Sequence, residues 1–367
     1  MKVTPWEVSG HIDYDRLVKE FGTKHLTPKI LKRVEKYAPL HLFLRRKLFF
    51  SHRDFDWILD KYESGEKFAL YTGRGPSGHT HLGHLMPWIF TKWLQDTFDC
   101  ELYFQLTDDE KFLRDDLSLD ETHNYAKENA LDVIAIGFDP SKTKIFSDLN
   151  SAKTLYKTAL KVAKLTTFST AKAVFGFDNS TNIGMAFFPA IQAAPCFLPS
   201  EIKKKKVPVL IPAAIDQDPY WRISRDVADR LGYYKPAQIH CMFLPGLEGP
   251  DSKMSASRPD SAIFTNDTPE AARRKIMKAF SGGARNLEEH KKHGGNPDVD
   301  TACQYLYYLF EEDDGKIKEI FDSYRKGSMT SGEVKKLLAN KVVAFLKEHK
   351  SRREKARKNI EHFMVED

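Results

Sequence analysis

Two histidines three residues apart, His81 and His84, close the glycine-rich stretch Tyr71-Thr-Gly-Arg-Gly-Pro-Ser-Gly-His-Thr-His-Leu-Gly-His84. Glycines let a backbone approach an anion closely, and a helix N-terminus offers free N–H groups and the positive end of a dipole. Histidines in the first turn of such a helix can face one ligand together. The chemistry this suggests is the holding of phosphate oxygens. Zinc is a poorer fit, because the loop adds only His79 as a third ligand and no cysteine. Gly73, Gly75 and Gly78 have dinucleotide-loop spacing, but an arginine and a proline fill the gaps, and no Walker lysine follows. Alone, such a stretch is more often an ordinary loop than a nucleotide site, so its meaning depends on a partner elsewhere in the chain.

The flanking residues supply the elements that would position it. Lys67-Phe-Ala-Leu-Tyr71 is short and apolar, a buried strand, and Leu85 to Leu94 has helical spacing. Further strands are expected at Glu101–Thr107, Lys144–Ser147, Val207–Pro212 and Gln238–Leu244, with helices at Leu119–Ile136, Ala152–Lys164 and Pro219–Leu231 between them. That alternation argues for a parallel sheet with helices on both faces. Ligands of such sheets sit at the carboxyl ends of the strands, where Gly73, Asp108, Asp216 and the Pro245 loop fall. Residues 1–66 read as a helical preface, with helices at Tyr14–Phe21 and Pro28–Tyr37 and a packed aromatic and basic segment over Leu40–Arg53. Beyond about Ile263 the pattern is helical only: Pro269–Phe280, Val299–Phe310, Lys316–Lys326 and Gly332–Met364, the last ending in a basic run from Lys347 to Lys358.

Composition narrows the class without naming it. The 367 residues are 41% hydrophobic and 12% aromatic, enough for a full core in one large or two ordinary domains. No run approaches the ~18 apolar residues a membrane span needs, and Met1 to Trp6 lacks the apolar core of a signal peptide. The four cysteines, Cys100, Cys196, Cys241 and Cys303, are far apart and are expected as reduced, partly buried thiols in a cytoplasmic protein. A net charge of +6 permits nucleic-acid binding without demanding it.

The partner motif is Gly249-Pro-Asp-Ser-Lys253-Met-Ser-Ala-Ser257, expected as a mobile loop after the last strand. A His-x-Gly-His pair followed by Lys-Met-Ser-x-Ser resembles the class I aminoacyl-tRNA synthetases. Over nearly its whole length the chain is similar to tryptophanyl-tRNA synthetases of the eukaryotic and archaeal type. Phe49-Phe-Ser-His-Arg-Asp54, Thr107-Asp-Asp-Glu-Lys111, Phe188-Pro-Ala-Ile-Gln-Ala-Ala-Pro195 and Ala214-Ile-Asp-Gln-Asp-Pro-Tyr220 carry that resemblance. It implies an α/β fold: a Rossmann-like catalytic domain over residues 67–263, a helical N-terminal extension over 1–66 and an all-α anticodon-binding domain over 264–367. It also implies a homodimer that activates L-tryptophan with ATP and Mg2+ and charges tRNA(Trp). Pro5-Trp-Glu-Val8 is similar to an extension that caps the active site.

The resemblance assigns roles residue by residue. His81, His84, Lys253, Ser255 and Ser257 match catalytic motif positions. Gly73, Arg74, Gly75, Gly83, Asp216 and Met254 join them as ATP contacts. Tyr71, Gln105, Glu110, Gln192 and Gln217 match contacts to tryptophan, the first two on the indole side. No metal ligand is assigned to the chain. Two places depart from animal members: Gly78-His79-Thr80, and Ala284-Arg285-Asn286 in the region that implies anticodon contacts. Three neighbouring readings remain at this stage: a nucleotidyltransferase of the same superfamily, the tyrosine-specific relative, and an inactive paralogue that only binds RNA. The first lacks a Lys-Met-Ser loop. The second carries Tyr-Pro-x-Met-Gln where this chain has Phe188-Pro-Ala-Ile-Gln192. The third usually loses the histidines or lysine kept here.

Overall fold

The computed structural model describes residues 2–3, 8–9, 12–256 and 258–367; Ser257 and the Pro5, Trp6 and Glu7 of the N-terminal segment lie outside the described residues. The chain opens with an antiparallel pair, β1 (Lys2–Val3) and β2 (Val8–Ser9). There follow α1 (Tyr14–Phe21), β3 (Lys24–His25), α2 (Pro28–Val34), α3 (Leu42–Arg45), β4 (Phe49–Arg53) and α4 (Phe55–Glu63). The Asp13 side chain caps α1, and Thr27 with Pro28 opens α2. The expectation of a purely helical preface is corrected here: β3 and β4 join the central sheet. The burial of four of the five residues of β4 removes the alternation that marks a half-exposed strand.

The centre of the molecule alternates as expected: β5 (Ala69–Arg74), α5 (Leu82–Phe98), β6 (Glu101–Leu106), α6 (Asp108–Arg114), α7 (Leu119–Ala135), β7 (Thr143–Ser147) and α8 (Ala152–Leu165). Then come α9 (Phe168–Phe175), α10 (Ile183–Ala193), α11 (Leu198–Lys203), β8 (Val209–Ala214), α12 (Asp218–Leu231) and β9 (Ala237–Cys241). The seven strands lie in the order β3-β4-β9-β8-β5-β6-β7. From β9 to β7 every pairing is parallel, and β4 joins β9 antiparallel. Apolar cores fill both faces; Leu70, Phe104 and Ile239 point to one, Tyr71, Tyr103 and Ile211 to the other. All four cysteines are free and buried, deeper than expected.

A hairpin of β10 (Pro245–Gly246) and β11 (Gly249–Lys253) stands where a mobile loop was expected. The remainder is helical: α13 (Pro269–Lys278), α14 (Leu287–His293), α15 (Thr301–Tyr305), a π-turn over Leu306–Phe310, α16 (Asp314–Arg325) and α17 (Ser331–Arg357). Val334, Leu338, Val342 and Leu346 form the buried stripe of α17, which packs on α13 and α7. After α17 the chain returns to the sheet. Ile145 N–H donates to Phe363 O at 2.8 Å, and Val365 N–H donates to Ile145 O at 2.8 Å, so this segment covers the open edge of β7. Part of the basic run is internal as well. Arg353 pairs with Asp132 and Glu128 of α7, both at 2.6 Å.

Candidate active site

A cavity of about 700 Å³ opens at the carboxyl ends of β5, β6 and β8. Its floor is the turn from β5 into α5. His81 is the N-cap, just outside the helix, so the pair straddles the helix start rather than sharing its first turn. The two rings stack, with centroids 3.5 Å apart. The absence of a Cβ at Gly83 permits this: one there would lie 3.2 Å from the His81 ring and 3.3 Å from Met254 Sδ. Burial pushes both histidines well below their ordinary pKa, and the charges of Arg74 and Lys253 push the same way. They are therefore neutral at pH 7 and act as hydrogen-bonding groups rather than cations.

Their donors point at one another. His84 Nδ1 accepts from the His81 backbone N–H at 3.1 Å, which leaves the ring proton on Nε2. Nε2 faces Arg74 Nη1 at 2.6 Å. A neutral imidazole has one acceptor nitrogen, so it cannot satisfy both donors. Arg74 Nη2 and His81 Nδ1 also have no protein partner, although buried. An anion with several oxygens would satisfy all of these groups. Arg74 is held from behind by Asn129 of α7, whose Oδ1 accepts from Nε at 3.0 Å and whose amide donates to Gly78 O at 3.1 Å. Burial lowers the Arg74 pKa to about 10, which still leaves it charged at neutral pH.

The opposite wall carries Lys253, Met254 and Ser255. Lys253 is exposed at the end of β11, with Nζ 5.4 Å from the Phe243 ring centroid. Met254 is buried, and Ser255 N–H donates to Ser261 Oγ at 3.1 Å, which anchors the strap. Asp216 follows β8 in a short 3-10 turn, Ile215–Gln217. Burial raises its pKa, the Lys253 charge opposes the rise, and its Oδ1 has no partner. Gln217, Gly73 and Gly75 complete this end.

The side towards α10 holds Glu110 and Gln192. Glu110 accepts from Thr107 Oγ1 at 3.2 Å and pairs with Lys111 at 3.0 Å. Tyr71 and Gln105 are fully buried and lie behind the cavity lining rather than on it. Tyr71 O–H donates to Gln105 Oε1, and Gln192 Nε2 donates to the Tyr71 oxygen at 3.3 Å. Of the sixteen residues to which the resemblance gave roles, thirteen line the cavity, Tyr71 and Gln105 lie behind it, and Ser257 is outside the described residues. His79 is exposed and packs edge-on against Tyr125, away from the cavity. Sequence reasoning missed Lys111 and Arg114, two cations of the lining. The signal was present: α6 begins with acidic residues, and Arg114 lies one turn beyond Glu110.

With this geometry in place, the comparisons are informative. The family of class I tRNA synthetases for W and Y matches residues 63–347. The tryptophan–tRNA ligase of Saccharolobus solfataricus is 52% identical over 98% of this chain and 94% of that protein. That of Pyrococcus furiosus is 51% identical over 99% and 93%. The tryptophanyl-tRNA synthetase structure from Plasmodium falciparum superposes with a TM-score of 0.87, at 43% identity and 94% coverage of each chain. The one from Aeropyrum pernix gives 0.88 at 32% identity and 97% coverage of each. The chain belongs to the class I tRNA synthetases of the tryptophan and tyrosine family. Within it, the curated relatives it resembles over almost full length are the tryptophan enzymes.

Proposed function

We infer that the cavity at the strand ends is where tryptophan is activated. The chain is an aminoacyl-tRNA ligase for tryptophan. A carboxylate oxygen of tryptophan attacks the α-phosphorus of ATP, the new C–O–P linkage forms, and the bond to the bridging oxygen breaks with its electrons leaving on pyrophosphate. A terminal ribose hydroxyl of tRNA(Trp) then attacks the acyl carbon, and AMP departs. The observation that carries the site assignment is the set of buried polar groups without matched protein partners, Arg74 Nη2, His81 Nδ1 and the His84–Arg74 contact. Phosphate oxygens supply what they lack. His81 and His84 hold those oxygens as neutral donors, with Gly73, Gly75 and Gly83 admitting the nucleotide closely. Lys253 meets the charge that grows on the leaving pyrophosphate, with Met254 and Ser255 anchoring its strap. Asp216 and Gln217 take the ribose and amino-acid end. Mg2+ enters with ATP on its phosphates, and we assign it no protein ligand.

Tryptophan is read by Tyr71 and Gln105, with Glu110 and Gln192 on its amino-acid group. Indole has one donor and no acceptor, so a selective pocket needs one buried acceptor at a fixed point. A hydrophobic pocket alone discriminates weakly. The expected result is that a tryptophan analogue with sulfur in place of the indole nitrogen loses about five- to a hundredfold in kcat/KM, the cost of one unpaired buried acceptor. Tyr71→Phe combined with Gln105→Ala narrows that gap. Pyrophosphate exchange with both substrates measures it, and equal use of the two by the unmutated enzyme refutes the hydrogen-bond reading.

The same reading makes the chain a cytoplasmic homodimer. Phe112 of α6, Tyr156 and Leu160 of α8, and Ile183 at the start of α10, 89% exposed, supply an apolar face for a second copy. Residues 264–367 serve as the tRNA-reading region. There Asn286 caps α14 by accepting from Glu289 N–H at 2.9 Å, and the neighbouring Ala284 and Arg285 are exposed. β2 lies against β11, which supports a capping role for the N-terminal segment over Lys253. No helix among the described residues is long and apolar enough to cross a membrane.

A further inference from the structure

Tyr71 is useful to an indole N–H only if its oxygen is left to accept, and that depends on where its single proton goes. Tyr71 O–H is aimed at Gln105 Oε1, with the Gln192 carbonyl oxygen at 3.1 Å as a second acceptor for the same proton. Gln105 could present either end of its amide to Tyr71, because oxygen and nitrogen differ little in shape. Asp148, at the end of β7, removes the ambiguity. Its two carboxyl oxygens accept from Gln105 Nε2 at 2.8 and 3.0 Å. Turning the amide over would aim the Gln105 oxygen at those oxygens and its N–H at Tyr71.

We propose that Asp148 is a positioning residue for tryptophan selection: by taking the Gln105 amide N–H it turns the Gln105 oxygen to Tyr71, ties up the Tyr71 proton, and leaves the Tyr71 oxygen as the acceptor for indole. The proposal rests on the reading of Tyr71 and Gln105 as the indole side of the site. Asp148 touches neither substrate nor reacting atoms; it acts through Gln105. The relay continues inward. Asp148 hydrogen-bonds Asp109, and Asp109 Oδ1 accepts from the Glu110 backbone N–H at 2.7 Å. Both carboxyls are pushed up by burial and by each other's charge, Asp109 to about 6, so the pair keeps a proton between them. Asp108 lies beside them; its Oδ1 accepts from Leu149 N–H at 3.1 Å, and His123 faces its Oδ2 at 3.7 Å. The chain of donors therefore runs one way, from the ligand through Tyr71, Gln105 and Asp148 to Asp109. Tyr71, Gln105 and Asp148 are buried, so the links between them cannot borrow a water to reverse it.

The test compares tryptophan with its sulfur analogue in the full-length enzyme. In Asp148→Leu, no group of similar size remains to accept the Gln105 N–H, so Gln105 can turn over and Tyr71 no longer presents a reliable acceptor. The preference for tryptophan is expected to fall from about five- to a hundredfold to within about threefold. The KM for tryptophan rises while the KM for ATP stays within about twofold, a split that general damage to the fold does not produce. Asp109→Asn leaves the Asp148–Gln105 bond in place and keeps the preference. If the unmutated enzyme prefers tryptophan and Asp148→Leu keeps that preference, the proposal fails while the indole reading stands. If the unmutated enzyme has no preference, the indole reading fails and takes the proposal with it. Should Asp148→Leu not fold, the tryptophan complex of the unmutated enzyme decides: the indole nitrogen lies on the Tyr71 oxygen if the proposal holds. An indole nitrogen on Gln105 Oε1 overturns the proposal alone, and one on neither overturns both.

Discussion

Replacing Lys253 by alanine is expected to slow adenylate formation about 10²–10³-fold while ATP affinity changes little, because it removes one preorganised charge-stabilising group. The reason lies in where the lysine sits. It ends a short hairpin facing the two buried histidines; its charge adds to the depression of both their pKa values and opposes the rise that burial imposes on Asp216. In bound ATP the β- and γ-phosphates are already charged. Cleavage of the α–β bond places new charge on the bridging oxygen, which only the transition state and product carry. A cation aimed there therefore accelerates the step more than it tightens binding. Rapid-quench measurement of adenylate at saturating ATP checks this. An unchanged rate with weakened ATP binding would make Lys253 a ground-state contact instead.

Asp132→Ala is expected to destabilise the folded chain by about 3–5 kcal/mol, the cost of removing one partner of a buried ion pair. Asp132 is buried on α7, where it accepts from His349 Nε2 at 2.9 Å and from Arg353 Nη1 at 2.6 Å. Burial pushes its pKa up, but the His349 hydrogen bond and the Arg353 charge outweigh that and hold it below the ordinary carboxylate value. A depressed folded pKa contributes stability above the unfolded pKa and loses it as pH falls through the folded one. The gap between the unmutated and variant proteins should thus be full at pH 7 and shrink below about pH 4. Urea melts at both pH values read it. A gap independent of pH would mean that the loss is packing alone. The consequence reaches the active site, because Asn129, one turn earlier on the same helix, holds Arg74 and Gly78. It also means that residues 264–367 are not a detachable piece, since removing them would leave Asp132 without either partner and the edge of β7 uncovered.

What was legible in the chain was local. His81, Gly83 and His84 are neighbours, and Lys253 to Ser255 form one strap, so each shows as a motif in the chain, and the two motifs together carried the resemblance that gave them roles. Strand ends in a parallel sheet collect at one edge, so Asp216 could be placed near Gly73 from the element pattern, whereas Glu110 came through the resemblance. Contacts between distant residues were not legible. His349 and Asp132 are 217 positions apart, and no periodicity in either helix says that they meet. The segment around β4 was hidden for a different reason. A strand buried on both faces shows no alternation, and its aromatic and basic neighbours read equally well as a packed loop. Tyr71 and Gln105 were found through resemblance, but only the structure places Asp148 behind them, because β6 and β7 are adjacent and Gln105 pairs with Phe146 in register.

The central claim is that this cavity joins ATP to tryptophan rather than to another amino acid. ATP–pyrophosphate exchange with the purified full-length chain, one amino acid at a time, tests it most directly. The account predicts that labelled pyrophosphate enters ATP when tryptophan is supplied, that tyrosine and phenylalanine support little exchange, and that Lys253→Ala suppresses the signal. Exchange driven by tyrosine, or none with any amino acid from a folded protein that binds ATP, would contradict it.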